Sequence, residues 1–412
     1  MIPKIKDIIL VQKQELENKR KEEYIPRQAK IESQNPMIQV VIGPRRAGKS
    51  FFVIHTLKAP VGYVNFDDET LVKVEDYDEI VAALNAVYDT PKQYLFDEIQ
   101  NLPRWELFVN RLQRQGHQLI ITGSNSKLLS TELSTHLTGR HIPILLLTFS
   151  FREFIEVWRE KKKSELTTAE VKEKLSEYLA YGGYPEPAMK GLDYKSYLST
   201  LYDSILYKDI VQRYTLRSGK VVSDLALYLL SNIATEYSYH SLTKVLSFKS
   251  SHTIKKYLNY LEEAFIFFSI SKFSYKVREQ ISSNKKIYCF DNGFLFAKAF
   301  SFSQNIGKLY ENAVARHLYG REVYFWKNQQ HEEVDFVIQE ERKVKQLIQV
   351  CTSLDNPKTK QREIRALLKA SEELKCLDLL IITTDIEDEE TTEWFGIKRK
   401  IKYLPLWKWL TI

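Results

Sequence analysis

The sequence predicts an α/β protein whose N-terminal part contains a parallel β-sheet. Short apolar runs alternate with amphipathic segments of helical period over the first 150 residues. One run, residues 38–42, leads into a glycine-rich segment and then into a helical pattern. Another run, residues 93–96, ends in two consecutive acids. In open sheets of this kind, ligands bind at the carboxyl ends of the strands, so these polar residues mark the candidate site.

Length and composition indicate a multidomain protein of a reducing compartment. The 412 residues predict two to four domains, and the 44% hydrophobic content suffices for well-packed cores. Three cysteines lie far apart without a C-x-x-C pair, which argues against disulfides and a cysteine zinc site and favours the cytoplasm. The apolar runs are far shorter than the ~20 residues of a membrane span. The net charge of +7 permits a polyanionic partner but does not demonstrate one.

The glycine-rich segment fits G-x-x-x-x-G-K-[ST], the phosphate-binding loop of nucleotide hydrolases. A strand before the loop and a helix after it aim backbone N–H groups and a helix N-terminus at an anion. We expect Lys49 to reach the β- and γ-phosphates and Ser50 to bind Mg²⁺. The residues predicted to contact nucleotide are Gly43, Pro44, Arg45, Arg46, Ala47, Gly48, Lys49, Ser50 and Phe51. A chance glycine-rich turn is the alternative, and both flanking segments argue against it.

The acids after residues 93–96 complete the second half of a nucleotide site. A buried strand ending in Asp97 and Glu98, downstream of a phosphate loop, is the Walker B arrangement. Asp97 is expected to hold Mg²⁺ through water, and Glu98 to polarise the attacking water. An acidic turn at a strand end is the alternative.

The next predicted strand, residues 118–125, also ends in polar residues. Ser124 and Asn125 are candidates to sense the γ-phosphate, although a plain turn or helix cap explains Ser124 equally well. Residues 127–136 predict a helix, and Arg140 lies just before a fifth strand at 142–148.

These segments resemble the AAA+ class. GPRRAGKS, LFDEIQNLPRWE, ITGSNSKLLS, LTGR and LTFSFREF are similar, more narrowly, to prokaryotic, largely archaeal, AAA-type ATP-binding proteins. The resemblance implies ATP as the nucleotide and a strand order of 5-1-4-3-2. It also implies a helical lid, a winged helix and a C-terminal α/β domain related to restriction endonucleases. The predicted regions are 1–150 for an N-terminal helical arm and the ATPase domain, 151–219 for the lid, 220–299 for the winged helix and 300–412 for the last domain.

The resemblance places Arg140 where AAA-type proteins carry an arginine finger that reaches a neighbouring subunit. Such a role requires a homo-oligomer. A salt bridge that caps the preceding helix is the alternative for Arg140.

The middle of the chain predicts a helix-turn-helix followed by a hairpin. Residues 241–246 and 251–261 show two apolar faces at helical spacing, and residues 265–275 and 286–290 predict the hairpin strands. Basic residues lie on the second helix and near the hairpin tip, and we expect them to contact DNA phosphates. They are Lys255, Lys256, Arg278, Lys285 and Lys286. A protein–protein module with a solvated basic face is the alternative.

Residues 300–412 resemble the restriction-endonuclease fold of the PD-(D/E)xK type. The resemblance implies that Glu311 and Asp335 correspond to metal-binding acids of that fold. At the E-x-K motif of that fold, this chain has Gln349 in place of the glutamate and Cys351 in place of the lysine. An amide replaces an anionic ligand and a thiol replaces a cation, so metal-assisted cleavage is not expected. A lysine from elsewhere, such as Lys358 or Lys360, could supply the missing charge.

Together these features predict a cytoplasmic ATPase that hydrolyses ATP with Mg²⁺ and acts on or with DNA. The predicted catalytic residues are Glu98, Lys49, Arg140 and Asn125, and Ser50 and Asp97 are the predicted metal ligands. The alternative is a nucleotide-dependent switch that binds a protein partner without turnover. Glu98 favours hydrolysis, because a carboxylate after the metal ligand is placed to activate water.

Overall fold

The computed structural model describes residues 4–32, 35–57, 60–125, 139–248, 250–299 and 306–412. The chain divides into two compact units. The first comprises Met1–Phe149 and Glu263–Phe265, and the second comprises Ser150–Glu262 and Ile266–Ile412. No helix in the described ranges is long and apolar enough to cross a membrane.

The first unit alternates helices and strands. Their bounds are α1 Ile5–Lys19, β1 Ile38–Ile42, α2 Lys49–Thr56, β2 Gly62–Asn65, α3 Tyr77–Tyr88, β3 Gln93–Asp97, α4 Trp105–Arg114, β4 Gln118–Gly123 and β5 His141–Leu145. The helix predicted over residues 127–136 lies outside the described residues.

The strands of the first unit form a five-stranded sheet, within the described residues, in the order β2-β3-β4-β1-β5. Every neighbouring pair is parallel. The predicted order 5-1-4-3-2 is therefore confirmed. β1 and β3 are buried along their whole length, as expected for strands covered on both faces, and their apolar β-branched and aromatic residues suit that position.

The second unit begins with helices and continues into a mixed sheet. Its helices are α5 Phe151–Lys162, α6 Thr168–Tyr181, α7 Pro185–Lys190, α8 Tyr194–Ser204, a π-helical segment Ile205–Gln212, α9 Gly219–Ser231, α10 Tyr239–Val245, α11 Ser251–Glu263, α12 Val277–Ser282, α13 Asn292–Lys298, α14 Ile306–Leu318, α15 Pro357–Leu374 and α16 Leu406–Trp409. Its strands are β6 Thr235–Tyr237, β7 Phe267–Lys272, β8 Lys285–Cys289, β9 Glu322–Lys327, β10 Glu333–Glu340, β11 Lys343–Val350, β12 Leu379–Thr383, β13 Asp388–Trp394 and β14 Ile397–Pro405.

A single sheet joins the predicted hairpin to the C-terminal strands. Among the described residues it has nine strands in the order β13-β14-β12-β11-β10-β9-β7-β8-β6. β7 and β8 pair antiparallel as predicted, and β7 also pairs parallel with β9. One sheet therefore contains strands from both sides of residue 300, where the sequence predicted a boundary between the winged helix and the last domain. This sheet brings β8 close to the candidate nuclease-like residues.

Gly182 and Gly183 follow α6, and Asp291 lies directly against their backbone. Gly182 has φ +77°, and a Cβ placed on it would lie 1.7 Å from Asp291 Oδ1. The other carboxylate oxygen of Asp291 accepts a hydrogen bond of 3.0 Å from the N–H of Gly183. A side chain at residue 182 would break this contact between the end of α6 and the start of α13.

Candidate functional site

The phosphate loop lies between β1 and α2 and packs tightly against the chain that leaves β5. A Cβ placed on Gly43 would lie 1.8 Å from the carbonyl oxygen of Leu146, so only glycine fits there. Gly48 precedes α2 with φ +89°, a conformation that favours glycine. Within the described residues, no side chain caps the first turn of α2. This is the loop-to-helix geometry that binds phosphate in other proteins.

Lys49 is buried over the loop. Its Nζ donates hydrogen bonds to the carbonyl oxygens of Gly43 at 3.2 Å and Pro44 at 3.0 Å. The same atom lies 3.9 Å from Glu98 Oε1. The loop thus has a cation at its centre and a carboxylate beside it.

Asp97 ends β3 and is surrounded by hydroxyl groups. Ser50 Oγ donates to Asp97 Oδ1 at 2.9 Å, Thr122 donates to the same oxygen, and Tyr63 donates to Oδ2 at 3.2 Å. Burial and the charge of Glu98 raise the pKa of Asp97, whereas the hydroxyl donors and Lys49 act in the opposite direction. Hydroxyl and carboxylate oxygens in contact fit Mg²⁺, which typically takes a few protein oxygens and fills its other positions with water and phosphate.

No cluster of three or more His, Cys, Asp or Glu side chains in the described part of the chain is arranged to hold a metal ion. Asp97 and Ser50 would hold Mg²⁺ through two oxygen atoms, which leaves its other positions for water and phosphate oxygens.

Glu98 follows Asp97 in a left-handed conformation with φ +51°. Its N–H donates to Thr122 Oγ1 at 3.1 Å, and the Gln100 amide donates to its carboxylate. Burial favours a higher pKa for Glu98, but Lys49 and Gln100 outweigh it and hold the pKa below the usual range. The carboxylate is therefore ionised at neutral pH and able to accept a hydrogen bond from water. A non-glycine residue held at positive φ is common at functional sites.

Ser124 and Asn125 follow β4 and are buried. β4 pairs with β1 so that Gly123 lies opposite Ile42, which brings both residues to the start of the phosphate loop. Ser124 Oγ lies 3.5 Å from the Gln100 amide nitrogen. The structure thus assembles the predicted residues of β1, β3 and β4 at one edge of the sheet.

Arg140 is exposed at the start of β5. Its carbonyl oxygen accepts a hydrogen bond of 2.9 Å from the N–H of Ile38. The preceding segment, residues 126–138, lies outside the described residues, so the capping alternative for Arg140 stays a prediction.

Arg27 contacts the loop in a way that the sequence did not reveal. Its guanidinium donates to the carbonyl oxygens of Ala47 at 2.9 Å and Leu147 at 2.5 Å and lies over the ring of Phe149. The contacts of Thr122 and Gln100 were also missed, although the position of Thr122 near the end of a neighbouring strand was a usable signal.

The structure separates the five basic residues predicted to contact DNA. Lys255 and Lys256 are exposed on α11, Arg278 is exposed on α12, and Lys285 is half-buried at the start of β8. Lys286 is only 2% exposed, so its predicted contact with DNA is wrong. Successive residues of a strand point to opposite faces of a sheet, and Lys286 points to the covered face.

The candidate nuclease-like residues lie mainly in one polar cluster. Asp335 accepts a hydrogen bond of 3.0 Å from the N–H of Val350, and its own N–H donates to Gln349 Oε1 at 3.2 Å. The Gln349 amide donates to Glu363 at 2.7 Å. Burial and the charge of Glu311 raise the pKa of Asp335 to about 7, against the effect of Lys286.

Cys351 does not join this hydrogen-bonded cluster through its side chain. Its thiol donates to the carbonyl oxygen of Ser353, and burial raises the pKa of Cys351 to about 11. The thiol is therefore neutral at pH 7. Lys360 forms an ion pair of 2.8 Å with Glu390. The lysine that enters the cluster is instead Lys286, which the sequence assigned to the hairpin tip.

The parallel five-stranded sheet and its phosphate loop define a P-loop nucleoside triphosphatase fold of the AAA type. Residues 35–155 match the family described as an AAA domain. Residues 172–305 and 306–409 match two families that are each described as a domain of unknown function.

An uncharacterised protein of Methanocaldococcus jannaschii is 34% identical to this chain over 96% of this chain and 92% of its own length. The chain therefore belongs to the family of that archaeal protein. An uncharacterised Haemophilus influenzae protein is 30% identical over 62% of this chain and 68% of its own. Among solved structures, a Walker-type ATPase of Pyrococcus abyssi matches with a TM-score of 0.44 and 15% identity, over 64% of this chain and 91% of that one.

Proposed function

We propose that this protein is a cytoplasmic ATPase that hydrolyses ATP with water and acts on or with DNA. The observation that supports hydrolysis is the contact of Ser50 with Asp97, next to Glu98 and Lys49. It brings oxygen ligands for a metal, a cation for phosphate and an ionised carboxylate to one edge of the sheet. This combination is the one that phosphoryl transfer to water requires.

Each residue of the site has a distinct part in the proposed reaction. Lys49 neutralises phosphate charge, and Glu98 orients the attacking water and accepts its proton. Thr122 holds Asp97 and the backbone of Glu98 in place through its hydroxyl. Asn125, which follows β4, senses the γ-phosphate in this proposal. Bound with the nucleotide, Mg²⁺ neutralises and orients the phosphates.

A nucleotide-dependent switch that binds a protein partner is the second candidate. Such a switch needs the phosphate loop but does not need a carboxylate that accepts a proton from water. The ionised Glu98 beside Lys49 therefore favours the hydrolase.

Replacing Lys49 with Ala is expected to abolish tight ATP binding, because it removes the fixed cation that faces the phosphates. Titration with a fluorescent ATP analogue measures the affinity, and circular dichroism checks the fold. Lys92→Ala, an exposed lysine of the same unit, is the matched control and should bind as the wild type does. An unchanged affinity in folded Lys49→Ala would refute the assignment of the loop.

The geometry of the middle region supports DNA as the partner. α10 and α11 are two consecutive helices. β6 precedes them, β7 and β8 follow them, and β8 pairs antiparallel with both β6 and β7. This is the element order of a winged helix, in which the second helix faces the major groove. Exposed Lys255 and Lys256 on α11 provide the positive charge that phosphate contact needs.

Replacing the exposed Lys255, Lys256 and Arg278 and the half-buried Lys285 with Ala should weaken DNA binding and flatten its salt dependence. Each lost phosphate contact lowers the slope of log K against log salt by up to ~0.9. Fluorescence anisotropy at several salt concentrations measures the slope. The matched control replaces four exposed lysines elsewhere, Lys21, Lys30, Lys92 and Lys195. Equal slopes in the two variants would argue against DNA contact through this surface.

A further inference from the structure

Lys286 lies among three carboxylates of the second unit. Its Nζ is 2.9 Å from Glu311 Oε1, 2.5 Å from Glu333 Oε1 and 3.2 Å from Asp335 Oδ1. The side chain is 3% exposed. Lys286 comes from β8, whereas Glu311 comes from α14 and the other two acids from β10. The ammonium group is therefore enclosed by acids that are distant from it in sequence.

The carboxylates have further partners that fix their positions. Tyr288 OH donates to Glu311 Oε1 at 2.8 Å, and the N–H of Val350 donates to Asp335 Oδ2 at 3.0 Å. Lys327 forms an ion pair of 3.3 Å with Glu333. A buried charge is tolerated only when its partners compensate for lost hydration, and these three acids do so for Lys286.

The same acids have the chemistry of a divalent-metal site. Carboxylate oxygens are the ligands that Mg²⁺ and Mn²⁺ prefer. These three acids are nevertheless not arranged to hold a metal ion, and the same is true of every other group of three or more His, Cys, Asp or Glu side chains in the described ranges. An ammonium group holds oxygen atoms at about 2.8 Å, whereas Mg²⁺ needs about 2.1 Å. The lysine therefore both occupies the centre of the cluster and keeps the oxygens farther apart than a metal requires.

We propose that Lys286 is a built-in cation that takes the place of a divalent metal among Glu311, Glu333 and Asp335, and that its removal opens a latent metal site. A tethered ammonium satisfies the carboxylates without presenting an open coordination position to a substrate. The inference extends the sequence-based expectation that the C-terminal region does not cut DNA, and it does not depend on ATP hydrolysis.

Replacing Lys286 with Ala should allow the chain to bind one more Mn²⁺ than the wild type. The probe is Mn²⁺ alone, without nucleotide, measured by electron paramagnetic resonance of free Mn²⁺ and by the metal dependence of Tm. Lys345→Ala, which removes an exposed lysine of β11 in the same sheet, is the matched control and should bind Mn²⁺ as the wild type does. Adding Asp335→Asn to Lys286→Ala should remove the extra Mn²⁺, because it deletes an anionic ligand.

The design distinguishes the possible failures. A folded Lys286→Ala chain that binds no extra Mn²⁺ would overturn the proposed role of Lys286. The proposal would also be overturned if the wild type bound Mn²⁺ and the single substitution Asp335→Asn abolished that binding. If Lys286→Ala unfolds without metal, recovery of the fold in Mn²⁺ supports the proposal. Failure of both Lys286→Ala and Lys286→Ser to recover overturns it. Mg²⁺-dependent DNA cleavage by the wild type, lost in Asp335→Ala, would overturn both this proposal and the expectation that the C-terminal region does not cut DNA, because a metal would then act at Asp335 with Lys286 present.

Discussion

Glu98→Gln is expected to bind ATP nearly as well as the wild type and to hydrolyse it about 10² to 10⁴ times more slowly. Glutamine has the same shape but cannot accept a proton from the attacking water. Lys49 and the phosphate loop remain unchanged, so the binding contacts are retained. Phosphate release under steady-state conditions gives the rate, and a fluorescent ATP analogue gives the affinity.

The matched control for this variant is Glu75→Gln, which removes the charge of an exposed glutamate in the same unit. Its rate should equal that of the wild type. Turnover by Glu98→Gln within a few-fold of the wild type would remove Glu98 from the reaction. Loss of ATP binding would instead indicate that the charge of Glu98, 3.9 Å from Lys49, mainly holds the loop.

The first unit was predictable because its signals are local. Apolar runs of strand length, each ending in polar residues, indicated where Lys49, Ser50 and Asp97 would meet, and the observed sheet brings β1, β3 and β4 together. The strand order itself came from a resemblance and not from the periodicity. The position of Thr122 near the end of a strand indicated the edge of the sheet, but its contacts with Asp97 and Glu98 depend on the side-by-side register of β3 and β4.

In the second unit, pairing between strands that are distant in sequence was not predictable from the sequence pattern, and the prediction for Lys286 was wrong for that reason. Lys286 was assigned to a solvated tip because the pairing of β7 with β9, which extends the sheet, was not foreseen. Strand alternation shows that Lys285 and Lys286 point to opposite faces, but it does not show which face is covered. The hairpin β13–β14 was also missed, because its alternating charges resemble a solvated segment. Those charges pair across the strands, as Glu389 does with Lys400.

Arg140→Ala is expected to reduce ATP turnover by about 10³ to 10⁵ while leaving ATP binding intact, as loss of an arginine finger does. Arg140 is exposed where β5 begins, next to β1, so its side chain is accessible to a neighbouring subunit. A finger that acts between subunits requires a homo-oligomer. Arg114→Ala, an exposed arginine of α4, is the matched control and should keep the wild-type rate.

Mixing two inactive variants tests whether Arg140 acts across an interface. Arg140→Ala subunits retain a complete phosphate loop, and Lys49→Ala subunits retain the arginine. In a mixed oligomer, an intact loop can therefore meet an intact Arg140, and part of the activity should return. Light scattering establishes that the variants assemble together. Mixed assemblies without recovered activity would show that Arg140 serves its own subunit, and a wild-type rate in Arg140→Ala alone would exclude Arg140 from the reaction.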